Sequence, residues 1–572
     1  MKRYYIGLAT TFHDPALAIV DAHGKIVFAE ASERALQYKR AVNCEADPIA
    51  RCPELLRRYL DPDCEVVVAT SWDGPYTEFL ARSAAIRAFD VNAVAALPAD
   101  LNRSLTPLRS ERALIGALHA QQQRAGLGLL IGLTQTFGHA RMTLRRYPHH
   151  LTHAAYAAIG SPFEDAACLV VDGMGETGSA AIYRYSAGRL EEVRRYRGRE
   201  SVGFFFGLMT DLCGFDQAKG EEWKVMGLAP YGARNRSLVD LLRRFYRVER
   251  GALVFPDEAE IAELVAQVRA RTGDERARAE LARAAQDVFE EMMSVYLDET
   301  YRLVPSDNLV LTGGCALNSS FNGKILSRTP FRALHVPSAP ADDGNAVGAA
   351  LCAWRDDNPE AKAGGTLFSP YLGTKIDLEP LVRTAQWEPR LVERGEAVVP
   401  AAARLLAEGK LVGWVQGRAE FGPRALGNRS ILADPRPADA KDLINLKVKL
   451  REPFRPFAPA ILHDEGADWF ENYQYTPYME RTLVWREDKR ARVPAVVHVD
   501  GTGRLQSVTR AVNPRFYDLI ATFRRLSGVP ILLNTSFNVM GKPILHSADE
   551  ALLMLYTTGL DALVVEDWLL VK

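Results

Sequence analysis

The sequence predicts an α/β protein, and three observations carry that expectation. Strand-length apolar runs alternate with helical stretches, a strand, small-residue turn, strand pattern occurs twice, and one long segment keeps helical apolar spacing. The opening YYIGLATTFHDPALAIVDAHGKIVFAE reads as strands over Tyr4–Ala9, Ala16–Val20 and Ile26–Ala29, a meander with a tight turn at His23-Gly24. Buried strands are expected next at Glu65–Ala69, at Ala167–Val171 with a hairpin partner Ala180–Tyr183, and at Leu309–Thr312. The turns DAHG and DGMG sit at matching places in the two meanders, so two related halves are expected. From Asp274 to Tyr301, Leu281, Ala284, Ala285, Val288, Phe289, Met292 and Val295 recur every three or four residues beside charges, as on a surface helix facing a core. The polar DDNPEAKAGG (356–365) suggests a domain edge, placed between about 365 and 395. The expected domains are 1–370 and 390–572, the second starting from a strand at Leu411–Val415.

Composition narrows the function classes. The chain has 572 residues, 48% hydrophobic and 25% charged, as in ordinary globular proteins of more than one domain. The net charge of −1 gives no global field for nucleic acid or an anionic membrane, so any anion site must be local. The longest apolar run, Ala125 to Leu133, is about half the roughly 20 residues of a spanning helix, and no signal peptide is read at the N-terminus. A cytoplasmic protein is expected. Seven cysteines without a CxxC pair fit neither a disulfide frame nor a thiolate zinc site.

His149 and His153 lie four apart after Pro148, in a stretch whose alanines favour helix, and so share one helix face. Two imidazoles one turn apart can hold a divalent metal; the bland reading is a pair of core or solvent histidines. A carboxylate for such a site is available at Asp342 or Asp343, on a turn before a Gly- and Ala-rich helix, where an N-cap is the plainer reading. Three glycine turns follow buried strands or precede helices: Asp172-Gly173-Met174-Gly175-Glu176, Gly313-Gly314, and Gly344 with Gly348. Each can bring backbone amides to a phosphate, or can be turn chemistry alone.

Beyond residue 400, GRAEFGPRALGNRS (417–430) and KVKLREPFRPFAP (447–459) gather Arg418, Arg424, Arg429, Lys447, Lys449, Arg451 and Arg455 on loops rather than a helix face. Guanidinium forks and an ammonium suit a small phosphate-bearing substrate. Phe421, Phe454 and Phe457 interleave them, which argues against a fully solvated basic face. Arg504 in DGTGRLQSV adds to the set, and Asn534, Thr535, Ser536 and Asn538 in LLNTSFN can hydrogen-bond a ligand amide. RNA binding is the lesser reading of these basic and aromatic residues, given the balanced charge.

With these motifs in order, from FHDPALAIVD, HHLTHAAYA, DGMGE, GEEWKVMGLAPYG and LTGGCALNSSFNGK to GRAEFGPRALGNRS, KLREPFRPFAP, DGTGRLQSV and LLNTSFN, nearly the whole chain resembles the ATP-dependent O-carbamoyltransferases of the nodulation and antibiotic-tailoring type. The resemblance implies an N-terminal actin-like, sugar-kinase and Hsp70 ATPase fold, close to the tRNA threonylcarbamoyl transferase subunit, followed by an α/β domain like threonylcarbamoyl-adenylate synthase. It implies that carbamoyl phosphate and ATP yield carbamoyl adenylate, whose carbamoyl group passes to a hydroxyl of a small molecule such as a secondary metabolite. His149, His153 and Asp342 would hold a divalent metal, iron(II) being the ion implied, with Asp343 as alternate ligand; Mg2+ can accompany ATP. Asp172, Gly173, Gly175, Gly313, Gly314 and Asn318 would serve the nucleotide, with Glu222 and Lys224 lining the same cleft. His13 matches a histidine at the transfer site, where it can act as base. Arg424, Lys449, Arg455 and Arg504 would hold carbamoyl phosphate, with Arg418, Asn534 and Ser536 as further substrate contacts.

The stretch ASERALQYKRAVNCEADP departs from the family's run of Glu, Arg, Phe and basic residues, so acceptor recognition is not read from it. Trp72 to Arg146 matches no motif and is expected to shape the acceptor pocket. The oligomeric state is left open, a homodimer included. Threonylcarbamoyl transfer to tRNA shares both domain types but calls for a basic surface. Hydrogenase-maturation carbamoyl donors need an acylphosphatase and CxxC zinc fingers, neither of which is here. A non-catalytic ATP-binding scaffold would have no use for the Arg and Lys set.

Overall fold

The computed structural model describes residues 2–76, 118–198, 200–361, 365 and 367–572. The opening meander forms as β1 (Lys2–Ala9), β2 (Ala16–Val20) and β3 (Ile26–Ala31), all antiparallel neighbours. β4 (Cys64–Thr70) pairs parallel with β1, and β5 (Met142–Arg146) parallel with β4, giving the order β3-β2-β1-β4-β5. β6 (Asp165–Val171), β7 (Ala180–Ser186) and β8 (Arg189–Tyr196) repeat the meander. After a small hairpin of β9 (Arg247–Glu249) and β10 (Ala252–Val254), β11 (Asn308–Thr312) pairs parallel with β6 and β12 (Ala333–His335) parallel with β11. The second order, β12-β11-β6-β7-β8, has the same neighbours in the same directions as the first. The two halves are therefore repeats of one unit, an antiparallel meander extended by two parallel strands.

β5 and β12 were not read from the sequence. β5 is a largely exposed edge strand with Arg145 and Arg146 at its end, and β12 has only three residues, so neither carries a buried apolar run. The amphipathic helix runs over Glu275–Leu303 and seats Leu281, Val288, Phe289 and Met292 in the core of the second half.

Small residues set the close packing that brings the active elements together. The helix Asn345–Asp357 (NAVGAALCAWRDD) lies against β1 and against the helix His149–Ile159. A Cβ at Gly7 would overlap the Ala346 carbonyl, and one at Gly348 the Thr152 carbonyl, so glycine is required at both crossings. The end of β1, the two histidines and the Asp342 turn are thereby held within reach of one another.

β13 (Leu391–Glu393), β14 (Val412–Val415), β15 (Arg429–Ala433), β16 (Ala458–Leu462), β17 (Arg481–Val484), β18 (Thr502–Val508), β19 (Ile531–Ser536), β20 (Ala562–Val565) and β21 (Trp568–Val571) form one mixed sheet. Its order is β13-β21-β20-β14-β15-β19-β16-β18-β17, over a core that includes Trp414, Phe516, Phe523 and Trp485. This part touches both halves of the first: Arg34 donates to the Gly422 carbonyl and Asn322 to the Glu480 carbonyl at 2.9 Å, and Lys224 pairs with Glu452 at 2.9 Å. All seven cysteines are free thiols, six of them buried. Among the described residues no helix is long and apolar enough to cross a membrane. Most of the span assigned no motif, 77–117, lies outside the described residues.

Candidate active site

The helix His149–Ile159 begins directly after Pro148, and its first turn presents His149 and His153 to the C-terminal end of β6. There Asp172 Oδ2 lies 3.2 Å from His149 Nε2 and 3.7 Å from His153 Nε2. Asp342 Oδ1 lies 3.5 Å from both imidazole Nε2 atoms. Ligand atoms of these four residues all fall within 4.8 Å of one another. Burial alone would push the His149 pKa down; the carboxylates of Asp172 and Asp342 override it and raise it to about 10, and His153 shifts up likewise. Burial opposes ionisation of Asp172 and Asp342, but the two imidazoles win and hold both acids well below the usual range. For Asp342 the neighbouring Asp172 charge is a second opposing influence. Two ionised carboxylates and two imidazoles converging on one point form a donor set that fits a divalent cation, which would displace the imidazole protons.

Asp172, read from the sequence as part of a phosphate-binding turn, therefore stands with His149, His153 and Asp342 in the cluster that fits a metal. Its other oxygen accepts the Gly314 backbone N–H at 2.9 Å, tying the cluster to the second glycine turn. Gly313 has φ +90°, and a Cβ there would strike the Val171 carbonyl. Gly173 faces the start of the helix Val202–Leu212, where Ser201 Oγ accepts Phe204 N–H at 3.1 Å and donates to the Gly173 carbonyl at 2.8 Å. Gly175 N–H bonds the Gly178 carbonyl at 2.6 Å, closing the turn. Asp343 is outside the cluster: it faces Asp14, Glu33 and Arg34, and burial with those acids raises its pKa to about 7. Asn318 does not offer its amide to the cleft. It caps the turn Ser319–Asn322 and exchanges two hydrogen bonds with Gln286, at 2.9 and 3.1 Å.

His13 lies on the loop between β1 and β2, 40% exposed, with Nδ1 2.9 Å from Asp14 Oδ2 and 3.8 Å from Asp342 Oδ2. Burial and the Arg40 charge push its pKa down, but Asp14 and Asp342 prevail and raise it. Arg40 was not singled out in the sequence. It donates from Nε to Asp14 Oδ2 at 3.2 Å, and its backbone has φ +61° in a segment where Gln37, Ala41 and Asn43 are also left-handed. Glu222 is pushed up by burial and faces Arg40, His13 and Asp14. Two residues on, Lys224 bonds Glu221 at 2.6 Å and Glu452 at 2.9 Å, so the GEEWK segment joins the first site to the basic loops.

Those loops build a second site. A π-helical turn, Asn445–Lys449, ending at the left-handed Leu450, turns Lys449 inward. Its Nζ donates to the Ser536 carbonyl, to Asn538 Oδ1 at 2.7 Å and to the Asn538 carbonyl at 2.9 Å, and reaches Ser536 Oγ at 3.3 Å. Burial, with Arg451 and Arg455 nearby, holds Lys449 well below its ordinary pKa. Burial also depresses Arg424, beside Arg504, and pushes Arg504 down to about 10. Arg451, absent from the set implied by resemblance, is pushed to about 9 by burial and by Arg455 and Arg504. Arg455 stacks over Trp223 at 4.1 Å and pairs with Glu452 at 2.6 Å. Among the described residues, no carboxylate forms an ion pair with Arg424, Lys449, Arg451 or Arg504, and Arg504 Nε has no hydrogen-bond partner. Like charges gathered at such a half-buried site favour an anion between them.

Three expected substrate contacts resolve differently. Arg418 is turned away from the cluster, giving its guanidinium to the Leu372 and Gly373 carbonyls and lying over the Tyr59 ring. Asn534 spends its amide on the Ala425 carbonyl and Gln506 Oε1, at 3.2 and 2.9 Å. Ser536 alone touches Lys449.

A family model described as "Carbamoyltransferase N-terminus" matches residues 4–351, and one described as "Carbamoyltransferase C-terminus" matches 403–572. The chain is 38% identical over 437 residues to the nodulation protein NolNO of Sinorhizobium fredii, covering 74% of this chain and 63% of that protein, under two thirds of its length. It is 29% identical to nodulation protein U of the same organism over 94% of both chains. Among solved structures, full-length HypF in a phosphate- and nucleotide-bound form is similar at 13% identity and a TM-score of 0.37, over 63% of this chain and 56% of that one.

Proposed function

The chain belongs to the carbamoyltransferase family, and from that premise we propose that it converts carbamoyl phosphate, water and ATP to carbamoyl adenylate, phosphate and pyrophosphate, and transfers the carbamoyl group to a hydroxyl of a small molecule. The observation that carries the proposal is the pairing of two complementary sites, a histidine and carboxylate cluster beside glycine turns, and a cation cluster around the buried Lys449 in which, among the described residues, Arg424, Lys449, Arg451 and Arg504 form no ion pair with a carboxylate. We assign the first site to a transfer domain, 1–370, and the second to a carbamoyl phosphate domain, 390–572.

Arg424, Lys449, Arg451, Arg455 and Arg504 bind the phosphate and carbonyl oxygens of carbamoyl phosphate. The Gly173 and Gly313-Gly314 turns receive the nucleotide phosphates. His149, His153, Asp172 and Asp342 hold a divalent cation, iron(II) in our reading; once bound, such an ion neutralises phosphate charge and polarises the phosphoryl oxygens. In transfer, His13 takes the proton from the acceptor hydroxyl at Nε2, since Nδ1 is turned to Asp14. The hydroxyl oxygen bonds to the carbamoyl carbon as the bond from that carbon to the adenylate oxygen breaks, and AMP leaves. The acceptor is read as a secondary metabolite, and the protein as acting in the cytoplasm.

The test is incubation with carbamoyl phosphate, ATP and iron(II) against a panel of polyhydroxylated small molecules, read by mass spectrometry. AMP formation that depends on carbamoyl phosphate, with an acceptor 43 mass units heavier, as about one carbamoyl group replacing hydrogen requires, is the expected result. ATP consumption indifferent to carbamoyl phosphate would overturn the proposal.

A further inference from the structure

We propose that Trp72 is a positioning residue for the metal site, its indole setting the plane of the His149 ring so that Nε2 points into the donor cluster. This rests on the metal reading of that cluster. Trp72 follows the end of β4, is 2% exposed, and stacks on His149 with ring centroids 4.4 Å apart and planes 24° from parallel. The indole is itself fixed: Nε1 donates to the Thr10 carbonyl at 3.0 Å, and the Tyr76 ring stacks on it at 5.0 Å.

The residue before it sets the other degree of freedom. His149 Nδ1 lies 3.3 Å from the Ser71 carbonyl oxygen, an atom that only accepts, so the neutral ring carries its proton on Nδ1 and leaves Nε2 for a cation. The backbone N–H of His149 donates to Glu176 Oε1 at 2.7 Å, which anchors the first turn of the helix. Ser71 thus selects the tautomer and Trp72 the ring plane. Trp72 also ties the cluster, through Thr10, to the loop that carries His13.

The experiment uses the full chain with Co(II) alone as the probe, added to wild type, Trp72→Phe and Trp72→Leu. Co(II) affinity comes from calorimetry, tryptophan emission from fluorescence, and folding from thermal unfolding of the metal-free proteins. Co(II) is expected to quench one component of wild-type emission, absent from Trp72→Phe. That variant keeps an aromatic face, and the Thr10 carbonyl it leaves behind still accepts from Gln122 Nε2 at 3.0 Å, so its affinity is expected to match wild type. Trp72→Leu keeps apolar bulk without a ring face and is expected to bind Co(II) about 10- to 100-fold more weakly, with shifted ligand-field bands. If Trp72→Leu does not fold, Trp72→Met takes its place with the same expectation. Wild-type affinity and bands in the folded ring-less variant, or wild-type quenching in Trp72→Phe, would overturn this proposal alone. Failure of wild type to bind Co(II) would overturn the metal site and this proposal together.

Discussion

The two ligand sites solve opposite electrostatic problems. In the first, two carboxylates and two imidazoles face one another and the charges compensate even before a cation arrives. In the second, Lys449 is buried and Arg424, Arg451 and Arg504 are half-buried, all with depressed pKa values, and among the described residues none of the four forms an ion pair with a carboxylate. The histidine and carboxylate cluster can exchange protons for a metal, whereas the basic site gathers like charges that an anion would offset. Substitutions should therefore act with different signs on stability in the two regions, and on different half-reactions.

The sharpest break of this comparison is at His13, beside the first site and proposed as the base of the transfer step. His13→Ala is expected to slow transfer by about 10²- to 10⁴-fold while carbamoyl adenylate still forms. Assaying the two half-reactions separately checks this, and equal losses in both would place His13 with the nucleotide instead. Lys449→Ala is expected to lose adenylate formation by roughly 10²-fold or more, because a buried charge-assisted contact to phosphate typically contributes a few kcal/mol. Metal-ligand loss is the matching change in the first site: Asp172→Ala should lower bound metal as His149→Ala and Asp342→Ala do, whereas Asp343→Ala should not. Metal content after dialysis distinguishes the four.

A pH series sharpens the contrast. His149 in the metal-free protein has its pKa raised to about 10, so below its ordinary value of 6.5 the full stabilisation of the imidazolium is present, and it is lost as pH rises through about 10. Metal binding must displace that proton, so log K should climb by at least about one per pH unit between pH 7 and 9, with His153 adding to the slope where it is still protonated. A flat profile would mean that the imidazole is already neutral. The smallest expected effect is on stability: Arg504→Met should make the phosphate-free protein more stable, by about 1 kcal/mol, while removing activity. Chemical denaturation measures it, and a destabilised Arg504→Met would show that the pocket cations are compensated after all.

Much of this was legible in the sequence, for reasons visible in particular residues. The meander strands are buried apolar runs punctuated by DAHG and DGMG, and HxxxH after a proline marks a helix face. Asp172 was legible as a turn residue but not as a neighbour of His149 and His153, because that proximity exists only where β6 ends against the helix His149–Ile159. Arg418, read as a ligand contact by residue type, and Asn318, implied as one by the resemblance, both have side chains consumed by protein carbonyls and amides, which no local pattern announces. The nine-stranded sheet was scarcely visible because its strands are short and pair out of sequence order, β21 with β13 and β16 with β19.

The central claim, that the two regions run successive steps, is tested most directly by giving synthetic carbamoyl adenylate and a hydroxyl acceptor identified with wild type to the Lys449→Ala protein. The account predicts carbamoylated acceptor at a rate close to wild type, since the first site is untouched, although the same protein makes none from carbamoyl phosphate and ATP. A folded Lys449→Ala protein that stays inactive with the adenylate supplied would contradict it and place Lys449 in the transfer step.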